Sequence, residues 1–233
     1  MKRRSLIIVV MILLLVVLGV PRVFLLPRIE RELQKDLGGD LQARAVQVQI
    51  KAPWGWELLF GNIPRLELTA HDAVIDGLRV ARVDLYGEQI RLDPRSLWQE
   101  RELVYIDASE LGVDLVVTED SLNELLWSEV DPDRFLRLAV SPAGVDLGGT
   151  LSLWSMEWNI TVRGDLEVRD GTSLAYVLTT FEVEETRIPS ILLEVLSENY
   201  DLVIDFGVFP YPIEIKDVFL EEQQILVRFG GVS

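Results

Sequence analysis

Residues 111–127 read LGVDLVVTEDSLNELLW, and the fold turns on how this stretch is divided. Leu111, Val113, Leu115 and Val117 alternate with Gly112, Asp114 and Val116, the period of two that gives a strand one buried face. Thr118 ends the alternation and is also a good helix N-cap, because its hydroxyl can accept from a backbone N–H in the next turn. Glu119 and Asp120 then sit against the positive end of the helix dipole. Leu122, Leu125, Leu126 and Val130 fall at i, i+3, i+4 and i+8, which predicts an amphipathic helix closed by Asp131-Pro132. Two readings of that helix stand. It covers its own sheet, or it covers a sheet that keeps room for a lipid.

On both sides of this stretch the alternation recurs. Val46, Val48 and Ile50; Leu66 and Leu68; Leu78 and Val80; Val83 and Leu85; and Ile90 and Leu92 predict short strands. They are punctuated by Gly61-Asn62, Asp76-Gly77 and Gly87, as in an antiparallel meander. Downstream, Trp158, Ile160, Val162, Gly164, Leu166 and Val168 alternate up to Arg169, and Asp170-Gly171 turns the chain into Leu174, Tyr176 and Leu178, a hairpin with unusually long arms. Ile188, Ile191, Leu192, Val195 and Leu196, with Pro189 at the first turn, predict a second amphipathic helix. Strands return at Leu202, Ile204 and Phe206, at Ile213 and Ile215, and at Ile225, Val227 and Phe229. The fold class is α+β: helices on one face of a large antiparallel sheet that is elongated and strongly curved.

The N-terminus is of another kind. Lys2-Arg3-Arg4 precedes an unbroken apolar run over residues 6–20, and after Pro21-Arg22 four more apolar residues lead to Pro27. This is a membrane segment or a signal peptide; no A-x-A cleavage pattern follows, so the reading favoured for residues 1–27 is an uncleaved signal anchor, a single transmembrane helix. The positive-inside rule then places residues 28–233 outside the cytoplasm as one domain on the cell membrane. Ile29, Leu33 and Leu37 predict a short helix that Gly38-Gly39 stops. Between the first strands lies the most aromatic stretch, residues 53–60, PWGWELLF. It is either a plug or short helix over the sheet's end, or a pair of interfacial tryptophans, Trp54 and Trp56, meeting lipid headgroups.

The formal charge of −16 includes the leader cations Lys2, Arg3, Arg4 and Arg22, so the rest of the chain carries −20. Nucleic acid is disfavoured as a partner on that ground, and an anionic ligand would need a local basic site. There is no cysteine, which removes disulfides, thiolate metal sites and cysteine nucleophiles. His71 is the single histidine, so multi-histidine metal sites are out. No P-loop, G-x-G-x-x-G, G-x-S-x-G or S-x-x-K motif occurs. The acidic clusters lack calcium-loop spacing. No cofactor and no catalytic residue is expected.

Taken together, three groups of residues resemble the LmeA-like family of bacterial envelope proteins, described as phospholipid-binding and named for a lipomannan elongation factor. They are residues 113–123, VDLVVTEDSLN; residues 164–171, GDLEVRDG; and the ending around Phe209-Pro210 and Ile213. The resemblance implies a membrane-anchored, extracytoplasmic protein whose curved sheet wraps toward a helix, similar to tubular lipid-binding folds, with a hydrophobic groove for phospholipid. Leu122, Leu125, Leu126, Ile191, Leu192, Val195 and Leu196 are the candidate groove lining, and no catalysis is implied. The competing reading is a structural or assembly protein of the envelope with a filled core and a protein partner. A glycan-modifying enzyme is the weakest of the three.

Overall fold

The computed structural model describes residues 26–53, 55–75, 77–100, 104–153, 156–183, 203–207 and 213–231. The apolar leader run, Trp54 and the second amphipathic helix expected around residues 188–196 lie outside them. Among the described residues no helix is long and apolar enough to cross a membrane.

Helix α1 (Leu26–Asp40) leads to β1 (Ala45–Ile50), the one-turn helix α2 (Trp56–Leu59), and two long strands, β2 (Asn62–Ile75) and β3 (Leu78–Leu92). A π-helical turn at Ser96–Glu100 and β4 (Tyr105–Asp107) precede β5 (Glu110–Thr118) and helix α3 (Glu119–Glu129). Beyond α3 the described elements are all strands: β6 (Leu136–Ser141), β7 (Gly144–Leu153), β8 (Met156–Arg169), β9 (Ser173–Val183), β10 (Val203–Asp205), β11 (Ile213–Glu221) and β12 (Gln224–Gly231).

The sequence predicts one large sheet, and the structure has two. Seven strands run in the order β1-β2-β3-β5-β12-β11 with β4 beside β3, and five run in the order β10-β9-β8-β7-β6. The break comes where β5 gives way to α3: the helix interrupts the ladder, and β6 starts a new one. Antiparallel pairing joins β6 through β10 and also β11 to β12. The α+β description with mostly antiparallel strands therefore holds.

Two compact units divide the described chain. The first comprises residues up to Ala70 together with Asp84–Gly112. Here α1 lies antiparallel to β1: the Glu30 carboxylate accepts from Ile50 N at 2.9 Å, and one turn later Gln34 Nε2 donates to Val46 O at 2.5 Å. Ile29 and Leu33 are buried on the same helix. Gly38 and Gly39 do not stop this helix, which continues to Asp40; Gln42 makes the exit with a φ of 47°. Glycine is costly inside a helix but does not forbid it, about 1 kcal/mol relative to alanine. Nor is Gly87 a turn, since β3 runs through it. Its missing Cβ leaves space for Ile90, whose side chain would lie 2.7 Å away.

The second unit comprises His71–Val83 and the residues from Val113 onward. Its core joins inward residues of both sheets: Val113, Leu115 and Val117 on β5, Ile225, Val227 and Phe229 on β12, and Leu136, Leu138 and Val140 on β6. Phe206, just after β10, meets Phe229 edge to face with ring centroids 5.2 Å apart, a geometry that aligns one ring's positive edge with the other's negative face.

Candidate functional site

Strand β5, helix α3 and strand β6 build a joint in the second unit. Thr118 is the N-cap as predicted, its Oγ1 accepting from Ser121 N at 3.3 Å. Beyond the cap, helix and strand are joined by a ladder. β6 is the edge of its sheet, so the outward N–H and C=O groups of Leu136, Leu138 and Val140 have no strand partner. Side chains from α3 and its ends supply them. Glu119 accepts from Val140 N at 3.0 Å. The amide of Asn123 accepts from Leu138 N at 2.8 Å and donates to Leu138 O at 2.9 Å, as a neighbouring strand would. Trp127 Nε1 donates to Leu136 O at 2.8 Å, and Asp131 accepts from Leu136 N at 2.7 Å. Val140 O takes the N–H of Gln223, whose own carbonyl accepts from Glu119 N.

The match is one of repeat lengths. Four helical residues rise about 6 Å and two strand residues about 6.6 Å, so Glu119, Asn123 and Trp127 step down the helix in time with alternate residues of β6. Asp131 continues the spacing past the helix end. Sequence reasoning read the apolar stripe of this helix and missed the polar one, although E-x₃-N-x₃-W-x₃-D is visible in the chain. Asn123 is only 1% exposed. A buried backbone group left without a partner costs about 1 to 3 kcal/mol, so the ladder is a large part of what holds α3 in place.

The predicted groove lining is divided. Leu122, Leu125 and Leu126 are buried beneath α3. Ile191, Leu192, Val195 and Leu196 lie outside the described residues, as does Trp54. Trp56 is half-buried at the start of α2.

In the long hairpin, Gly164 is explained by Tyr176. A Cβ at Gly164 would lie 2.4 Å from the Tyr176 ring. The ring is thereby laid across β8, and the hydroxyl reaches the carbonyls of Val162 at 3.1 Å and Val145 at 3.2 Å. Burial, aided by the charges of Asp146 and Asp165, pushes the phenol well above its ordinary range, so it remains a donor. The turn uses Asp170 and Gly171, both at positive φ.

A different surface occupies one end of the first unit. Leu58 of α2 is buried, at 1% exposure, but Phe60, two residues on, is 74% exposed. Trp98, from the π-helical turn, is 40% exposed and donates its indole N–H to Leu59 O at 2.9 Å. Val104 and Ile106 are also exposed, and Val104 O accepts from Asp93 N. Three shielded side-chain atoms here have no hydrogen-bond partner: Trp56 Nε1, Glu57 Oε2 and Asn62 Oδ1. Beside them is a polar hollow of about 390 Å³ lined by Asn62, Gln89, Arg91, Asp107, Ala108 and Ser109. Arg91 and Asp107 are paired across it, each shifted by the other toward its charged form, Asp107 below and Arg91 above its usual value. Among the described residues no group of three or more histidine, aspartate or glutamate side chains is placed to hold a metal ion.

A family model described as LmeA-like phospholipid-binding matches residues 18–229. The chain belongs to this family. No curated protein and no solved structure matches it. The LmeA-like match takes in both compact units, and with them the helix-to-strand ladder at β6 and the Gly164–Tyr176 hairpin.

Proposed function

We propose that this chain binds phospholipid, or passes it on, at the outer face of the cell membrane, where residues 1–27 anchor it, and so serves maintenance of the envelope. The observation that carries this reading is the LmeA-like phospholipid-binding match over most of the chain. The leader supports the anchor: the apolar run over residues 6–20 has three cations before it, as the flank of a membrane segment does, and residues 23–26 extend it beyond Pro21-Arg22. On this reading the protein needs no catalytic group. The lipid itself supplies little net drive, because an acyl chain of about 16 carbons gains roughly 13 kcal/mol on leaving water and gains nearly the same in a bilayer. Headgroup contacts would then decide which lipid is held.

The alternative, a structural envelope protein with a filled core, draws support from α3. Its leucines are enclosed and its polar face is tied to β6, so this helix is better suited to brace the fold than to lift from it. A photoactivatable phospholipid separates the two readings. The full chain is reconstituted in vesicles doped with the probe, irradiated and mapped by peptide mass spectrometry. Cross-links within residues 28–233 away from the exposed surface at Phe60 and Trp98 are expected. Cross-links confined to residues 1–27 and that surface would leave an anchored domain that only meets the lipid matrix and overturn the binding reading.

A further inference from the structure

We infer that the end of the first unit carrying Phe60 and Trp98 is a membrane-docking surface, and that it rests on the outer leaflet of the bilayer in which the leader sits. This docking rests on the anchor proposed above and adds where the domain touches the membrane.

The register of α1 on β1 decides which end of the unit faces the leader. Glu30 is bonded to Ile50 and Gln34 to Val46, so the helix and the strand run in opposite directions. Following the helix back from Glu30 to Leu26 moves about 6 Å further along the direction in which β1 ends. That direction leads to residues 51–53 and on to α2. The point where the leader joins the described structure is therefore at the same end of this unit as α2 and Phe60. Other strand ends gather there too. Leu92, the last residue of β3, donates to Gly61 O at 2.7 Å, and Leu92 is paired with Tyr105 of β4. Phe60, Trp98, Val104 and Ile106 thus share one end, the end from which the chain continues to its 15-residue apolar run at 6–20.

The chemistry of this end suits the interface of a bilayer. A largely exposed phenylalanine beside a half-exposed tryptophan is the composition favoured at headgroup depth, where an apolar ring and a polar N–H are both accommodated. The chain is acidic overall, and near this end three ion pairs, Lys51 with Glu67, Arg65 with Glu88, and Arg91 with Asp107, leave the carboxylate of Glu57, whose Oε2 has no partner, outside them. The carboxyl of Asp93 accepts from Arg95 N at 3.0 Å, which holds it below its ordinary range. Docking is accordingly apolar in character and requires no anionic lipid. The sequence pointed to Trp54 and Trp56 for this role. Trp54 lies outside the described residues and Trp56 is half-buried; the exposed rings at this end are Phe60 and Trp98, the latter brought there from a segment 38 residues beyond Phe60, as the bond from its indole to Leu59 shows.

The absence of cysteine allows one label to be placed at will. Full chains carrying Phe60→Cys or Ala45→Cys, labelled with an environment-sensitive dye, are reconstituted in phosphatidylcholine vesicles containing nitroxide-bearing acyl chains. Ala45 is exposed and begins β1, at the strand's other end. Both chains should float with the vesicles. The label at 60 should be blue-shifted and quenched, and the label at 45 should be neither. A second measurement uses no dye: brominated phosphatidylcholine should quench the intrinsic fluorescence of the unlabelled chain, and Trp98→Phe should remove part of that quenching. Chains that float with both labels alike in emission, or bromine quenching unchanged in Trp98→Phe, overturn the docking surface while leaving the anchor intact. Chains that fail to float overturn the anchor, and the docking surface with it.

Discussion

The joint between α3 and β6 and the exposed end of the first unit solve the same problem in opposite ways. Each is a place where regular structure stops and backbone and side-chain groups are left over. At β6 every outward polar group of Leu136, Leu138 and Val140 finds a partner within the chain, and Asn123 alone serves two of them. At the other place, apolar rings stand in solvent and three shielded polar atoms lack partners. An edge strand is a hazard because it pairs with other chains, and the first region removes that hazard completely. A protein that seals one edge so thoroughly while leaving Phe60 exposed is marking the second region as a surface for meeting something else.

The largest consequence of this contrast lies at Asn123. Asn123→Ala removes three hydrogen bonds and leaves Leu138 N and O buried without partners, so a loss of about 3 to 5 kcal/mol is expected. Urea unfolding of the chain in mild detergent, followed by tryptophan fluorescence, measures it. A loss below about 1 kcal/mol, within the ordinary range for a single exposed hydrogen bond, would show that water replaces the amide and that the ladder is not what holds the helix.

Next in size is Leu126→Ala. At 2% exposure this side chain is enclosed on all sides. A packed core predicts a loss of about 2 to 5 kcal/mol with unchanged phospholipid cross-linking. If the helix instead covers a lipid space, the side chain already lacks some neighbours; the loss is then smaller and cross-linking falls with it. The second pattern would turn α3 from a brace back into a lid.

The two regions also differ in how much of them could be read in advance. Period-two alternation, the Thr118 cap and the Asp170-Gly171 turn are local signals, and the elements they predict are where they should be. The polar stripe of α3 is local as well, yet its meaning depends on β6, whose position no periodicity gives. Gly87 misled because glycine marks either a turn or a close approach, and only the neighbour, Ile90, decides which; Gly38-Gly39 misled because glycine weakens a helix without forbidding it. The division into two sheets was hidden for the same reason: alternation reveals strands but not which strands pair. Phe60 and Trp98 were the hardest to see. They are 38 residues apart, and only the meeting of Gly61 with Leu92 and of Leu59 with Trp98 brings them together.

The smallest expected effect is the most telling about that end. α2 offers an internal control, since Leu58 points inward and Phe60 outward within one turn. For a soluble core the larger ring would be the costlier one to lose. Here Phe60→Ser should change stability by no more than about 0.5 kcal/mol, the usual range for a surface position, because most of the ring already faces solvent. Leu58→Ala, deleting a buried side chain, should cost about 2 to 5 kcal/mol. Urea titration of both variants beside the parent checks the pair. Comparable losses would mean that Phe60 packs against the chain in solution and that the exposed end is ordinary core. A neutral Phe60→Ser whose chain floats but no longer presents Trp98 to brominated lipid would show a residue kept for the bilayer alone, with no part in holding the fold together.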